Sequence, residues 1–100
     1  MTFATNSKSA DSSSGVATVD ISGWFVSKVQ VSIHDVTTGT GTVTLTAMPA
    51  GTDEFQPITD GTADLSDSGA VLTFTIDGNV SQIKATSSQS GDAFTLLVGA

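Results

Sequence analysis

The 100-residue chain has no cysteine, no arginine and no tyrosine, and only one tryptophan, one histidine and two prolines. Each shortage removes a class of protein. Without cysteine there is no disulfide scaffold, no thiolate-bound zinc and no thiol nucleophile. One histidine cannot build a multi-histidine metal site within a chain. Positive charge is scarce as well: three lysines stand against ten acidic residues, a net charge of −7. That balance argues against a nucleic-acid partner, which needs clustered basic side chains, and against an anionic membrane surface. No apolar run approaches the ~18 residues of a membrane span. The first fifteen residues, MTFATNSKSADSSSG, lack the basic stretch and apolar segment of a secretion signal. The expectation is a protein made and kept in a cytoplasm, with no cofactor and no enzymatic activity.

What the chain has instead is hydroxyls. Fourteen serines and sixteen threonines are present, while charged residues make up 13%, about half the usual share. Hydrophobic residues, at 38%, suffice for a core. Threonine is β-branched and suits a pleated surface, so this composition points to all-β structure.

Residues 1–15 read as a flexible arm. Ser12-Ser13-Ser14-Gly15 is linker-like, and Phe3 is the one large apolar group. From Val16 onward the hydrophobic period is two. Val29, Val31 and Ile33 alternate with Lys28, Gln30, Ser32 and His34. Val43, Leu45 and Ala47 alternate with threonines. Leu72, Phe74 and Ile76 oppose Thr73 and Thr75, and Phe94, Leu96 and Val98 close the chain. Pro57 marks an edge strand, and Asp60-Gly61 and Asp67-Ser68-Gly69 mark turns. No segment carries a helical apolar stripe. Residues 16–100 are therefore predicted to form one antiparallel β-sandwich, jelly-roll-like or Ig-like, of seven to eight short strands. Its core is Val19, Ile21, Val29, Val31, Ile33, Val43, Leu45, Leu65, Leu72, Phe74, Ile76, Ile83, Phe94, Leu96 and Val98. Phe74→Ala is expected to cost about 3–5 kcal/mol.

Candidate chemistry is thin. His34 lies beside Asp35 on the polar face of its strand, and no G-x-S-x-G turn supplies a nucleophile. Asp60, Asp64 and Asp67 lie close in sequence, but their spacing departs from a calcium loop and Leu65 implies a strand that separates them. Asp53 and Glu54 are neighbours, so they cannot face each other across a sugar-binding cleft. Partner binding is the remaining expectation, with Phe3, Trp24 and Phe25 as contact residues, because aromatics concentrate at binding hot spots. A lone tryptophan in a sandwich more often serves as core or as a plug at one end, and that reading of Trp24 stands beside it. The outward threonines, Thr42, Thr44, Thr46, Thr73, Thr75 and Thr95, form a surface with few charges, suited to permanent protein contacts.

The run GTVTLTAMPAGTDEFQPI, with its Gly51-Thr52-x-x-Phe55 step, is followed by AVLTFTI and by VSQIKATSSQSGDAFTLLVGA, with its Val80-x-x-Ile83-Lys84-Ala85 step. Over residues 24–100 this pattern resembles small virion structural proteins of tailed bacteriophages. The resemblance implies a capsid decoration protein, or a head, neck or tail-fibre component, located in the virion and assembled in the host cytoplasm. Its implied partners are the major capsid protein or other virion proteins. It also implies a homo-oligomer, a trimer if the protein meets the capsid at a threefold position. The alternative is a tail-fibre module or a β-sandwich that binds glycans or a receptor.

Overall fold

A computed structural model describes residues 7–24, 28–65 and 72–100. These form eight strands: β1 (Ser7–Asp11), β2 (Val16–Asp20), β3 (Lys28–Thr38), β4 (Thr42–Pro49), β5 (Gln56–Asp64), β6 (Leu72–Asp77), β7 (Val80–Ser87) and β8 (Ala93–Gly99). Among the described residues there is no helix. Two four-stranded antiparallel sheets result, ordered β1-β8-β3-β6 and β2-β7-β4-β5. The pairs β1–β8, β2–β7, β3–β6 and β4–β5 are those of one long antiparallel hairpin rolled up on itself. That is the jelly-roll order, so the all-β sandwich stands and the Ig-like arrangement does not.

The period-two pattern becomes the inside and outside of the sheets. Of the fifteen expected core residues, thirteen are buried. Leu72 has no described side chain. Phe74 is only half-buried, because β6 pairs with β3 on one side and has no partner strand described on the other. The expected cost of Phe74→Ala falls accordingly, to about 1–3 kcal/mol by the area it removes from water. Thr73→Ala, on the exposed face of the same strand, should change stability by less than about 0.5 kcal/mol. Urea denaturation of the two variants checks this, and equal losses would contradict the register.

Two boundaries differ from expectation. Residues 7–15 are part of the sandwich and not an arm. β1 pairs with β8 along its whole length, from Ser7 opposite Gly99 to Asp11 opposite Thr95. Ser13 and Val16 then exchange backbone hydrogen bonds around Ser14 and Gly15, both at positive φ (54° and 76°). This is the pattern of a tight type I′ turn, and it carries the chain from one sheet to the other. A Cβ on Gly15 would lie 2.7 Å from the Gln89 carbonyl. Residues 1–6 lie outside the described residues.

The second difference is at Asp60-Gly61, which does not end a strand. β5 runs straight through it, with a register shift against β4 between Thr44 and Thr46. Asp60 adopts the left-handed region (φ 57°), which aspartate tolerates better than most residues. A turn signal has become a bulge.

Candidate interaction surfaces

The two ends of the sandwich differ in chemistry. One end gathers the β1–β2 turn, the β3–β4 loop and the β7–β8 loop around Asp92, which is only 3% exposed. Asp92 Oδ1 accepts from the Thr40 N–H (2.9 Å) and the Thr40 hydroxyl (3.1 Å), and Oδ2 accepts from the Gly41 N–H (3.0 Å) and the Ser87 hydroxyl. Ser87 Oγ in turn accepts the Gln89 N–H at 3.1 Å. Every partner donates, so the ionised form is favoured. The Ser87 hydroxyl first, then the Thr40 N–H, hold the Asp92 carboxyl below the usual value, against the opposing effect of burial. Alternating hydrophobicity carries no sign of this clasp. Ser87–Asp92 reads as polar loop, yet both its end residues are buried.

The other end carries Trp24. Here Ile21–Trp24 forms a turn closed by the Trp24 N–H on the Ile21 carbonyl (3.1 Å). Gly23 takes the third position at φ 92°, which a type II turn requires. Asp20 braces it by accepting the Ser22 N–H (2.8 Å) and the Ser22 hydroxyl, and these bonds lower its pKa, the hydroxyl contributing most. Trp24 is half-buried. It packs on the edge of the core and lines a cleft of about 170 Å³ with Ser22, Ala50, Gly51, Asn79 and Val80. No residue lining that cleft is charged. β1 begins at this same end and β8 finishes there, since Ser7 lies opposite Gly99 and Gln30 lies opposite Gly99 on the other side.

Of the predicted contact residues, Trp24 is therefore placed in a cleft whose lining carries no charge, while Phe3 and Phe25 lie outside the described residues. The other candidates are dispersed. His34 Nδ1 lies 3.2 Å from Asp35 Oδ2 on a partly exposed surface. Asp60 and Asp64 are exposed on β5, and Asp53 and Glu54 are exposed in the loop before it. Among the described residues no group of three potential metal ligands comes together. Thr42, Thr44, Thr73 and Thr75 are exposed, as read from the alternation, whereas Thr46 and Thr95 are half-buried. Thr95 donates to Asp11 Oδ1 at 2.8 Å.

The Gly51–Phe55 and Val80–Ala85 steps meet in space. Lys84 Nζ lies 4.2 Å from the centroid of the Phe55 ring, a cation–π distance. The contact ties the β4–β5 loop to the outer face of β7.

No protein-family model and no curated protein matches the chain. One solved structure, a chain from Bacillus endospore appendages described as a novel family of disulfide-linked pili, is similar over 95% of this chain and 85% of its own. Its identity is 16% and its TM-score 0.48. At that level the likeness carries no functional inference, and the present chain has no cysteine for such a link.

Proposed function

We propose that the protein is a non-enzymatic structural subunit that coats a larger particle, as a bacteriophage capsid decoration protein would. The observation that carries the reading is the asymmetry of the sandwich. One end is locked by buried hydrogen bonds around Asp92, and the other presents half-buried Trp24 in an uncharged cleft. An aromatic that is partly covered and ringed by neutral small residues gains most from burial against another protein. The hydroxyl-rich faces support permanent contact in the same way, because few charges need to be desolvated there.

Trp24 is the sole tryptophan, so its fluorescence reports on that end without any substitution. On mixing with particles of the virus that encodes the protein, stripped of this subunit, its emission should shift to shorter wavelength. Quenching by iodide should fall several-fold, and the protein should co-sediment in fixed stoichiometry. Co-sedimentation with unchanged iodide quenching would move the attachment away from Trp24, and failure to co-sediment would remove the decoration reading. The cleft also sets Ser22, Asn79 and Ser81 beside the indole, a combination of stacking surface and polar groups that favours glycan binding as the second reading. Trp24 fluorescence changes on titration with simple glycans, with none on addition of particles, would select it.

A further inference from the structure

A sandwich of two open sheets has four edge strands, and exposed edges are places where another chain can add a strand. Three of the four carry an obstacle. β1 turns Lys8 toward the neighbouring sheet, where Nζ donates to the Asp20 carbonyl at 2.9 Å. The same bond occupies the last carbonyl of β2, itself only five residues long. β5 has Pro57, which lacks an N–H, and the bulge at Asp60-Gly61. β6 has neither proline nor bulge nor lysine. Its only charge is at its end, where Asp77 lies 3.5 Å from Lys28.

Next to this edge the two sheets part. Between β6 and β5 lies a groove of about 450 Å³ with a mixed lining. Ile58 and Val80 supply accessible apolar surface with buried Ala47 and Ile76 behind them, Pro57 stands at its side, and Gln56, Thr75 and Asp77 add polar groups. Ile58 and Val80 are half-buried and pack on the core without being covered. A strand edge with no partner among the described residues, beside a groove that offers apolar surface at Ile58 and Val80, is the geometry that accepts an extended segment, with backbone hydrogen bonds on the edge and alternate side chains in the groove.

We propose that the β6 edge and this groove receive residues 1–6 of a second copy of the chain, with the Phe3 side chain in the groove. Three observations select that occupant. The segment Thr2-Phe3-Ala4-Thr5 has no charge and sets one large apolar group among small ones, so it brings no buried charge to a body of net charge −7. The same molecule cannot supply it. In the order β1-β8-β3-β6, a strand added to β6 lies four strand spacings from β1, about 19 Å. Phe3 stands four residues before Ser7 and reaches at most about 14 Å from it. Finally, β6 paired with β6 of another copy would leave the groove unfilled, because Ile76 is already buried in its own core. The contact joins two different surfaces, so it builds a closed ring or an open chain of copies. A ring of three accords with the trimer that the phage resemblance implies. The inference concerns the isolated protein and does not depend on attachment to any particle.

The test uses light scattering on the intact chain and on a variant lacking residues 1–6, which keeps β1. The intact chain should form assemblies larger than its 10.1 kDa monomer, the truncated one should be monomeric and still unfold cooperatively, and Phe3→Ala should weaken association at least about tenfold, or ~1.4 kcal/mol. Because the chain has no cysteine, Phe3→Cys protein mixed with Ile58→Cys protein should give a disulfide-linked pair under mild oxidation, while Phe3→Cys mixed with His34→Cys should not. An intact chain that stays monomeric up to about 1 mM overturns the proposal. So does a truncated chain that assembles as well as the intact one, and in that case a Thr75→Cys homodimer would identify edge-to-edge pairing of β6.

Discussion

Removal of residues 1–12 should lower stability by about 3–5 kcal/mol, a large part of the 5–15 kcal/mol that holds a domain of this size together. The cut takes away β1 and with it the five-residue ladder to β8. Ladder hydrogen bonds contribute about 0.5–1.5 kcal/mol each. It also takes Ser12, whose N–H donates to the Phe94 carbonyl and whose hydroxyl accepts the Phe94 N–H, both at 2.9 Å. Ala10, which packs against the core, goes too. β8 then becomes an edge, and its sequence AFTLLVG has no charge or proline to discourage pairing with other chains. Thermal unfolding should show a midpoint about 15–30 °C lower, with aggregation on heating. Removal of residues 1–6 alone leaves β1 in place and should lower the midpoint only by what dissociation of the assembly costs, an effect that fades on dilution. If the longer deletion cost no more than that, β1 would be an arm lying on the sheet and not a member of it.

Asp92→Asn should be the most damaging near-isosteric polar substitution in the described structure. All four hydrogen-bond partners of the Asp92 carboxylate are donors: the Thr40 N–H and hydroxyl on one oxygen, the Gly41 N–H and the Ser87 hydroxyl on the other. An asparagine amide must turn its NH₂ toward one of these pairs, placing donor against donor in a buried site. The loops that meet there would lose their common anchor, and the midpoint at pH 7 should fall by about 10 °C or more. The variant should also change the response to acid. In the folded protein the carboxyl titrates below its ordinary value of 3.8. As pH falls through 3.8 the unfolded chain takes up the proton and the folded chain does not, so unfolding gains. The contribution of Asp92 is therefore complete above that value and is lost as pH falls toward the folded one. Asp20, lowered in the same direction by Ser22, adds to the loss. Midpoints measured from pH 7 to pH 2.5 should fall more steeply for the native chain than for Asp92→Asn below about pH 4. Parallel curves would show that Asp92 titrates as it does in the unfolded chain.

Alternation alone determined which residues lie inside. Val29, Val31 and Ile33, or Phe94, Leu96 and Val98, occupy one face because successive side chains in a strand point to opposite sides, and this holds whatever the strand pairs with. The absence of helix among the described residues and the antiparallel sense were legible for the same local reasons, short links and β-branched residues. Strand order was not legible, since a sandwich with the same inward set can be wound as an Ig fold or a jelly roll, and only pairing between distant segments such as Val19 with Ile83 selects one. Residues 7–15 show the limit most clearly. β1 is polar, with only Ala10 half-buried, so hydrophobicity carries no trace of it. It is a strand because β8 offers it a free edge, and that edge exists only after residues 93–99 have folded against β3. The same holds at the two ends. Asp92 and Ser87 look like solvated loop until Thr40 and Gly41, some fifty residues away in sequence, bring three donors to the carboxylate that the Ser87 hydroxyl also meets. Trp24 could be expected at a surface from its type, but its uncharged cleft is made by Gly51 and Asn79 from two other loops. Local chemistry determined what each strand would bury; tertiary pairing decided which edges, loops and clefts were left to meet another molecule.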